Sequence, residues 1–568
     1  MTLRASATLL FIFCCTPSAF AGASAPTTWL RGGAVWTGDE AHPSAESILV
    51  EGDHLVAIGS DKDVAKVVTS KKLKPRVIEL RGRRVLPGII DSHIHIVGGG
   101  LQLARVDLNP ARTKQQTYDL IKKYATEHPQ VPWILGRGWA YDLWKPGLPT
   151  RGELDAFLPD RPVFVRAYDG HSGWANSKAL AIAGIDEKTP DPKNGKIVRE
   201  PGSKRPSGAL LEDAMDLVWD KMPKPSVDEK RKAIVAAGEH AAQHGVTAMC
   251  EVGGDLADLD LFYALDRAHQ LPVRVVFGPA IDDGGIDNVT AYAKKRAELF
   301  AKPLPGSLLT PGPLKGFVDG VIESGTAHTL AAFGDGGPVV PPHITPATLV
   351  DQISRADKLG IDVSYHAIGD AAVRSVLDAV EKVNKANPPR ERRPRIEHIE
   401  IVDPSDLPRF AALGVIPSQM PLHADPGVEP DGGIYVKKVG PERLPYAFAF
   451  HDLRQAGAAL IFGSDWPVVT LDPLPAIAMA VTRTREDGRP PGGWVPKQAL
   501  SMEDTLLAYT TRAAFGTRLE KITGTLKPGL AADLVVLSPE AKLDKPESFF
   551  KAKVDLTFVA GRLAYERN

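Results

Sequence analysis

"LPGIIDSHIHIVGGG", Leu86 to Gly100, runs apolar for five residues and then, past Asp91 and Ser92, places His93 and His95 two positions apart. Side chains alternate along a strand, so residues at i and i+2 share a face. Two imidazoles on one face at the end of an apolar strand are a pair suited to sharing a cation. Further along the chain, short apolar or β-branched runs recur, each bounded by Gly or Pro and preceded by a helix-like stretch. They read "GVTAMCEVGG" (245–254), "LPVRVVFG" (271–278), "PLKGFVDG" (313–320), "GIDVSYHAIGD" (360–370), "RPRIEHIE" (393–400), "GVIPSQMP" (414–421) and "ALIFGSDWPV" (459–468). With the opening stretch they predict eight parallel strands, the number that a closed (β/α)₈ TIM barrel needs. The helices between them are legible too. "SVDEKRKAIVAAGEHAAQH" carries Ser226 as N-cap and Glu229 in the capping-box position. No G-x-G-x-x-G follows any strand, which removes the main support for a dinucleotide fold.

Chemistry-bearing residues gather at the C-terminal ends of these runs. His93 and His95 lie on the first, Lys315 and Asp319 on the fourth, His366 on the fifth, His398 on the sixth and Asp465 on the eighth. A barrel brings those ends to one mouth, where its active sites are built. Imidazole and carboxylate suit Zn²⁺, which in catalytic sites keeps an open position. Taken singly, each residue has a plain structural reading: a hydrogen-bonded core histidine, a turn aspartate before Pro467, a lysine lying along the rim. Their joint order along the strands points to a metal site. Asp91, two before His93, and Glu397, next to His398, are read as pointing away from the mouth, as groups behind the ligands or in the wall.

The ends of the chain have a different texture. Short alternating strands with turn signals fill residues 27 to 87 and recur in "GTLKPGLAADLVVLS" and "VDLTFVAGRLAYERN". They predict a small composite β-sandwich domain formed from both termini, with residues 22–87 and 516–568 as its two parts. The barrel then occupies 88–515. About 145 residues between its first two strands, at about 98–240, far exceed a βα connection and are expected to form a lid. The leader "MTLRASATLLFIFCCTPSAFA" has Arg4, an apolar run over 5–15 and an A-x-A pattern at Ala19 to Ala21. That pattern predicts a signal peptide over 1–21 and a secreted or periplasmic protein. Cys250 is the only cysteine beyond that leader, so no intrachain disulfide is expected. Lys plus Arg (68) balance Asp plus Glu (69), which argues against nucleic-acid and polybasic membrane partners. No other segment reaches transmembrane length. The expected partner is a small-molecule substrate, and a homodimer is left open.

"LPGIIDSHIH", "KGFVDGVIESGTA", "HAIGDAAV", "RIEHIEI", "GSDWPV" and "GTLKPGLAADLVVL" together resemble the amidohydrolase superfamily. The resemblance is to its amidohydrolase-3 or YtcJ-like branch, which includes N-substituted formamide deformylases. It extends from about residue 28 to the C-terminus and takes in "PTRGELDAFLPDRPVFVRAYDGHSGWANSKAL" within the insertion. The family implies a metal-dependent hydrolase with one or two divalent ions, expected to be Zn²⁺. Carried over, His93, His95 and Asp465 hold one ion, and His366 and His398 a second. Lys315 matches a lysine that many members carboxylate to bridge both. A related branch uses a strand-two cysteine instead, where this chain has Cys250 followed by Glu251. The implied reaction is cleavage of an amide- or formamide-type C–N bond by a metal-activated hydroxide, with Asp465 as proton shuttle. Deamination, ester or lactone hydrolysis and a non-catalytic scaffold are the alternatives. His171 is the candidate donor to the developing oxyanion, and Trp139, Tyr141, His171 and Trp174 are candidates for the substrate pocket.

Overall fold

In the computed structural model, residues 26–567 are described, apart from 169, 171, 194, 284–285, 303 and 426–432. The leader-like segment 1–21 therefore lies outside the described residues. Eight strands match the eight runs in order: β1 (Ile89–Ile94), β2 (Val246–Gly254), β3 (Arg274–Pro279), β4 (Leu314–Phe317), β5 (Val363–Ala367), β6 (Arg395–His398), β7 (Ile416–Gln419) and β8 (Ile461–Phe462). β1, β2 and β3 form one parallel sheet with Leu309–Pro311 at its edge, and β4 to β8 form a second, also parallel. Isolated parallel bridges join Ala280 to Lys315 and Ile94 to Trp466, one between each pair of sheet edges. Sequential parallel strands linked in this way are consistent with a closed (β/α)₈ ring.

Nearly every residue of these strands is buried, as expected where helices cover one face and a filled interior the other. The outward faces of the strands pack on helices in one large apolar cluster that includes Ile89, Ile94, Met249, Phe277 and Tyr365. α1 (Val227–Gln243) begins as its sequence predicts: the Ser226 side chain accepts from Glu229 N, and the Glu229 carboxylate accepts from Ser226 N. Two of the three glycines after His95, Gly99 and Gly100, have a packing reason. A Cβ on Gly99 would lie 1.9 Å from the Trp466 ring, and one on Gly100 would lie 2.0 Å from the Ala233 carbonyl of α1. The stretch that carries the histidine pair is thus pressed between the turn after β8 and α1.

Residues 106–212 hold a six-stranded mixed sheet of their own, with separate apolar clusters that include Trp139 and Trp174 in one and Phe164 and Leu210 in the other. Segments from the two termini share another six-stranded sheet, in which Leu534–Leu537 pairs with Arg84–Pro87. A four-stranded sheet over residues 27–79 completes the N-terminal part, and a single cluster joins Leu30 and Ile48 to Leu534 and Phe558. Among the described residues, no helix is long and apolar enough to cross a membrane.

Candidate metal centre

The turn "GSDWP" is fastened to the end of β1 by backbone and side chain together. Asp465 N donates to His93 O at 2.8 Å, and His95 N donates to Trp466 O at 2.9 Å. Ser464 donates to Asp91 through both its backbone N (2.9 Å) and its hydroxyl (2.5 Å). Asp91 therefore stands behind the ligands and aims this turn, with its carboxyl pushed up to about 6 by burial. Asp465 adopts φ 59°, a left-handed conformation uncommon outside glycine, held here by these bonds. The result brings Asp465 Oδ1 to 3.1 Å from His95 Nε2 and 3.4 Å from His93 Nε2.

The opposite wall is made by β6. His398 (φ 74°) and Ile399 (φ 49°) leave the extended conformation, so the neighbours Glu397 and His398 both face the interior. Strand alternation alone turns Glu397 away from the mouth; the left-handed residues correct that expectation. Glu397 Oε2 lies 2.6 Å from His93 Nδ1, and its other oxygen accepts from Ser364 Oγ (2.5 Å) and Arg395 Nε (2.8 Å). A carboxylate on Nδ1 fixes the imidazole tautomer and leaves Nε2 free to ligate, the arrangement found behind metal-bound histidines. Burial opposes ionisation of Glu397, but Arg395 and His93 outweigh it and hold it well below the usual carboxylate range.

His93, His398 and Asp465 are buried, and one ligand atom from each lies within 4.8 Å of the others. This triple crosses the division the family suggests, since it takes His93 and Asp465 from one proposed ion and His398 from the other. His366 sits beside it, its ring centroid 4.5 Å from that of His398, with Nδ1 3.2 Å from Asp319 Oδ1. Asp319 also accepts from the backbone N of His328, Ile368 and Gly369, which makes it an orienting group for His366. His95 is one step outward, 35 % exposed at its side chain, and shares Asp465 Oδ1 with His93. Lys315 is buried with Nζ 3.4 Å from His93 Nε2, and burial pushes its amine down to about 8. Cys250 is in a different place: its Sγ meets Arg395 Nη1 at 3.5 Å in an apolar cluster with Ile90 and Val276. Glu251 approaches His95 Nδ1 no closer than 4.0 Å and accepts from Ile96 N.

The donor set fits a divalent cation on three grounds. Burial, then the neighbouring Lys315, drops the His93 imidazole to about 3, and burial with His366 holds His398 well below its ordinary value, so both are neutral lone-pair donors. His398 Nδ1 is buried without a hydrogen-bond partner. Burial opposes charge on Asp465, yet the His95 hydrogen bond and nearby imidazoles keep its carboxyl below the usual range. Two neutral imidazoles and an ionised carboxylate are what Zn²⁺ or a similar ion takes.

The lid candidates fare differently. Trp139 and Trp174 are fully buried in the core of the 106–212 sheet, where their indoles donate to Val165 O and Thr150 O. They offer no surface to a substrate, which corrects the expectation for both; large aromatics in a Gly-rich sheet serve its own core. Tyr141 is partly buried, donates to Ser172 Oγ at 2.7 Å and packs on Trp139. His171 lies outside the described residues. Sequence reasoning missed His423, whose Nε2 is 3.9 Å from Asp465 Oδ2 and whose ring stacks parallel to His398 at 6.1 Å. It also missed Glu400, a buried carboxyl with one oxygen unpartnered. Strand seven was the signal for His423, because it alone among β4 to β8 had no chemistry-bearing residue assigned at its end.

A buried His-His-Asp triple of this kind, at the ends of parallel strands, is suited to a metal ion, and comparison with known proteins places the chain among metal-dependent hydrolases. The amidohydrolase family model matches residues 76–565. The Arabidopsis thaliana protein LONG AFTER FAR-RED 3 is 33 % identical over 557 residues, covering 94 % of this chain and 90 % of its own. The N-substituted formamide deformylase of Arthrobacter pascens is 26 % identical over 549 residues, covering 94 % and 97 %. A crystal structure of an uncharacterized metal-dependent hydrolase from Pyrococcus furiosus superposes with a TM-score of 0.72 at 26 % identity, over 90 % of this chain and 98 % of that one. The chain belongs to the amidohydrolase family.

Proposed function

We propose that the protein hydrolyses the C–N bond of a small amide or formamide, on a (β/α)₈ barrel formed by closure of the two parallel sheets. The composite β-sandwich from the two termini and a lid over the mouth, built from residues 106–212, complete this reading. The observation that carries it is the division of Asp465: Oδ1 engages the histidines while Oδ2 is turned away from them, 3.9 Å from His423. The deformylase relative supports C–N hydrolysis as the kind of reaction.

His93, His398 and Asp465 would hold the cation, with His95, His366 and Lys315 around it. A divalent ion there, with zinc the best match to the donors, supplies an acidified water and a polarised carbonyl. Asp465 then moves the proton. Its Oδ2 accepts a proton from the water whose oxygen adds to the carbonyl carbon, and returns it to the nitrogen as the C–N bond breaks. Glu397 keeps the His93 tautomer fixed throughout, because its own charge is locked by Arg395. Phe317, half-exposed with its ring 5.5 Å from that of His366, presents an apolar face beside the centre for a substrate substituent.

The test is hydrolysis by metal-reconstituted protein of a panel of N-substituted formamides, N-acyl amines, esters and lactones. Turnover of an amide or formamide that is lost on chelation supports the reading, and turnover of esters or lactones alone overturns the C–N assignment. Asp465→Asn should stay folded and lower amide turnover by at least about 10³-fold; near wild-type turnover removes the proton-transfer role.

A further inference from the structure

His423 lies in the 3-10 turn Pro421–Ala424, which follows β7 directly, so its position is set by the strand. Its side chain is mostly buried, and its Nε2 is shielded from solvent with no hydrogen-bond partner. Leaving such a group unpaired is unfavourable, and a ligand atom in the gap would satisfy it. The atom it faces is Asp465 Oδ2 at 3.9 Å, beyond hydrogen-bond reach. His423 falls outside the group of three whose ligand atoms lie within 4.8 Å of one another. It therefore stands one layer out from the cation position, on the side where Asp465 meets substrate. Opposite a carboxylate oxygen, the tautomer with hydrogen on Nε2 is favoured, because N–H then points at negative charge.

We propose that His423 is a catalytic residue whose Nε2–H donates to the carbonyl oxygen of the scissile group as that oxygen gains negative charge. This rests on the hydrolase reading above and assigns the second half of its proton-and-charge traffic. The water oxygen bonds to the carbonyl carbon, its proton passes to Asp465 Oδ2, and the C=O electron pair moves onto the oxygen held by His423. When the double bond re-forms, the C–N bond breaks and the nitrogen leaves with the proton from Asp465. His423 keeps its own hydrogen at every stage. The 3.9 Å spacing suits the task, since the carbonyl oxygen and the attacking or leaving atom sit on one carbon and must be held side by side.

The experiment uses full-length, zinc-loaded protein as wild type, His423→Phe and His423→Gln. It reads zinc content, kcat and KM on the best formamide of the panel, and calorimetric binding of inorganic phosphate as a tetrahedral oxyanion. His423→Phe is expected to keep its zinc and a KM within about 3-fold, while kcat falls about 10²–10³-fold. Phosphate should bind it at least about 10-fold more weakly, and His423→Gln, which restores an N–H, should recover at least about 10-fold of kcat. A kcat and phosphate affinity within about 3-fold of wild type in His423→Phe overturn the proposal. Loss of zinc from that variant also overturns it, by making His423 a ligand. If wild type hydrolyses no amide, the C–N reading fails separately, and the phosphate comparison still decides whether His423 is the donor. A wild type that neither hydrolyses nor binds phosphate overturns both.

Discussion

Arg395 and Glu400 lie on either side of His398 in β6 and just past it, both nearly inaccessible, and their polar atoms meet opposite fates. Arg395 donates to Glu397 at 2.8 Å, to Ser92 O at 2.5 Å, to Ser418 Oγ at 3.3 Å and to Cys250 Sγ at 3.5 Å. Glu397 in turn accepts from Ser364 and engages His93. Above His398 the pattern reverses: His398 Nδ1, Glu400 Oε2 and His423 Nε2 are all buried and unpartnered. Native structures leave few buried polar atoms unpaired, and each needs a reason. The lower stack is complete without a ligand and acts as scaffold. The upper set is incomplete by itself, which is what the proposed substrate side requires.

The comparison can be broken first from below. Arg395→Met leaves Glu397 with a buried charge short of its main partner, and a loss of about 3–5 kcal/mol is expected. A urea midpoint close to wild type would show that the lower stack is dispensable. A smaller effect comes from Cys250, whose thiol burial pushes from 9.0 up to about 11. A folded-state value above the unfolded one means that the folded protein holds its proton longer. Stability from this group is therefore full below pH 9 and is lost as pH rises towards 11. Between pH 8 and 10.5 it should cost about 2 kcal/mol, and Cys250→Ser should lack that part of the slope. Equal slopes for the two proteins would place Cys250 outside the sealed interior. The smallest effect belongs to the upper set. Burial, then Glu323, Asp319 and Asp465, raise the Glu400 carboxyl well above its ordinary range, so it is held protonated and Gln is a near-isostere. Glu400→Gln should change stability by no more than about 1 kcal/mol. A loss as large as that of Arg395→Met would erase the distinction between the two regions.

The candidate ligands were legible in the sequence because each closes an apolar run, and strand ends have a fixed meaning in a parallel α/β fold. His93, His398 and Asp465 are found together on that ground alone. What lay hidden were effects of the backbone between strands. The left-handed residues 398 and 399 turn two successive side chains inward, which no alternation rule foresees. "PRIEHIE" therefore read as one ligand beside wall residues, while in space Arg395, Glu397 and His398 form one continuous stack. Trp139 and Trp174 misled for a related reason, since Gly-flanked aromatics signal a lid but not which of its faces they occupy. His423 lies in a short turn after a strand whose end carried no other candidate.

The central claim is that the His93–His398–Asp465 triple holds a divalent cation. Zinc titration of the metal-free full-length protein, followed by elemental analysis after dialysis, tests it most directly. At least about one ion should be retained per wild-type chain, while His398→Ala, still folded, retains it at least about 10-fold more weakly. Folded wild type that retains no zinc, manganese or iron, or a His398→Ala variant that binds as tightly as wild type, would contradict the account.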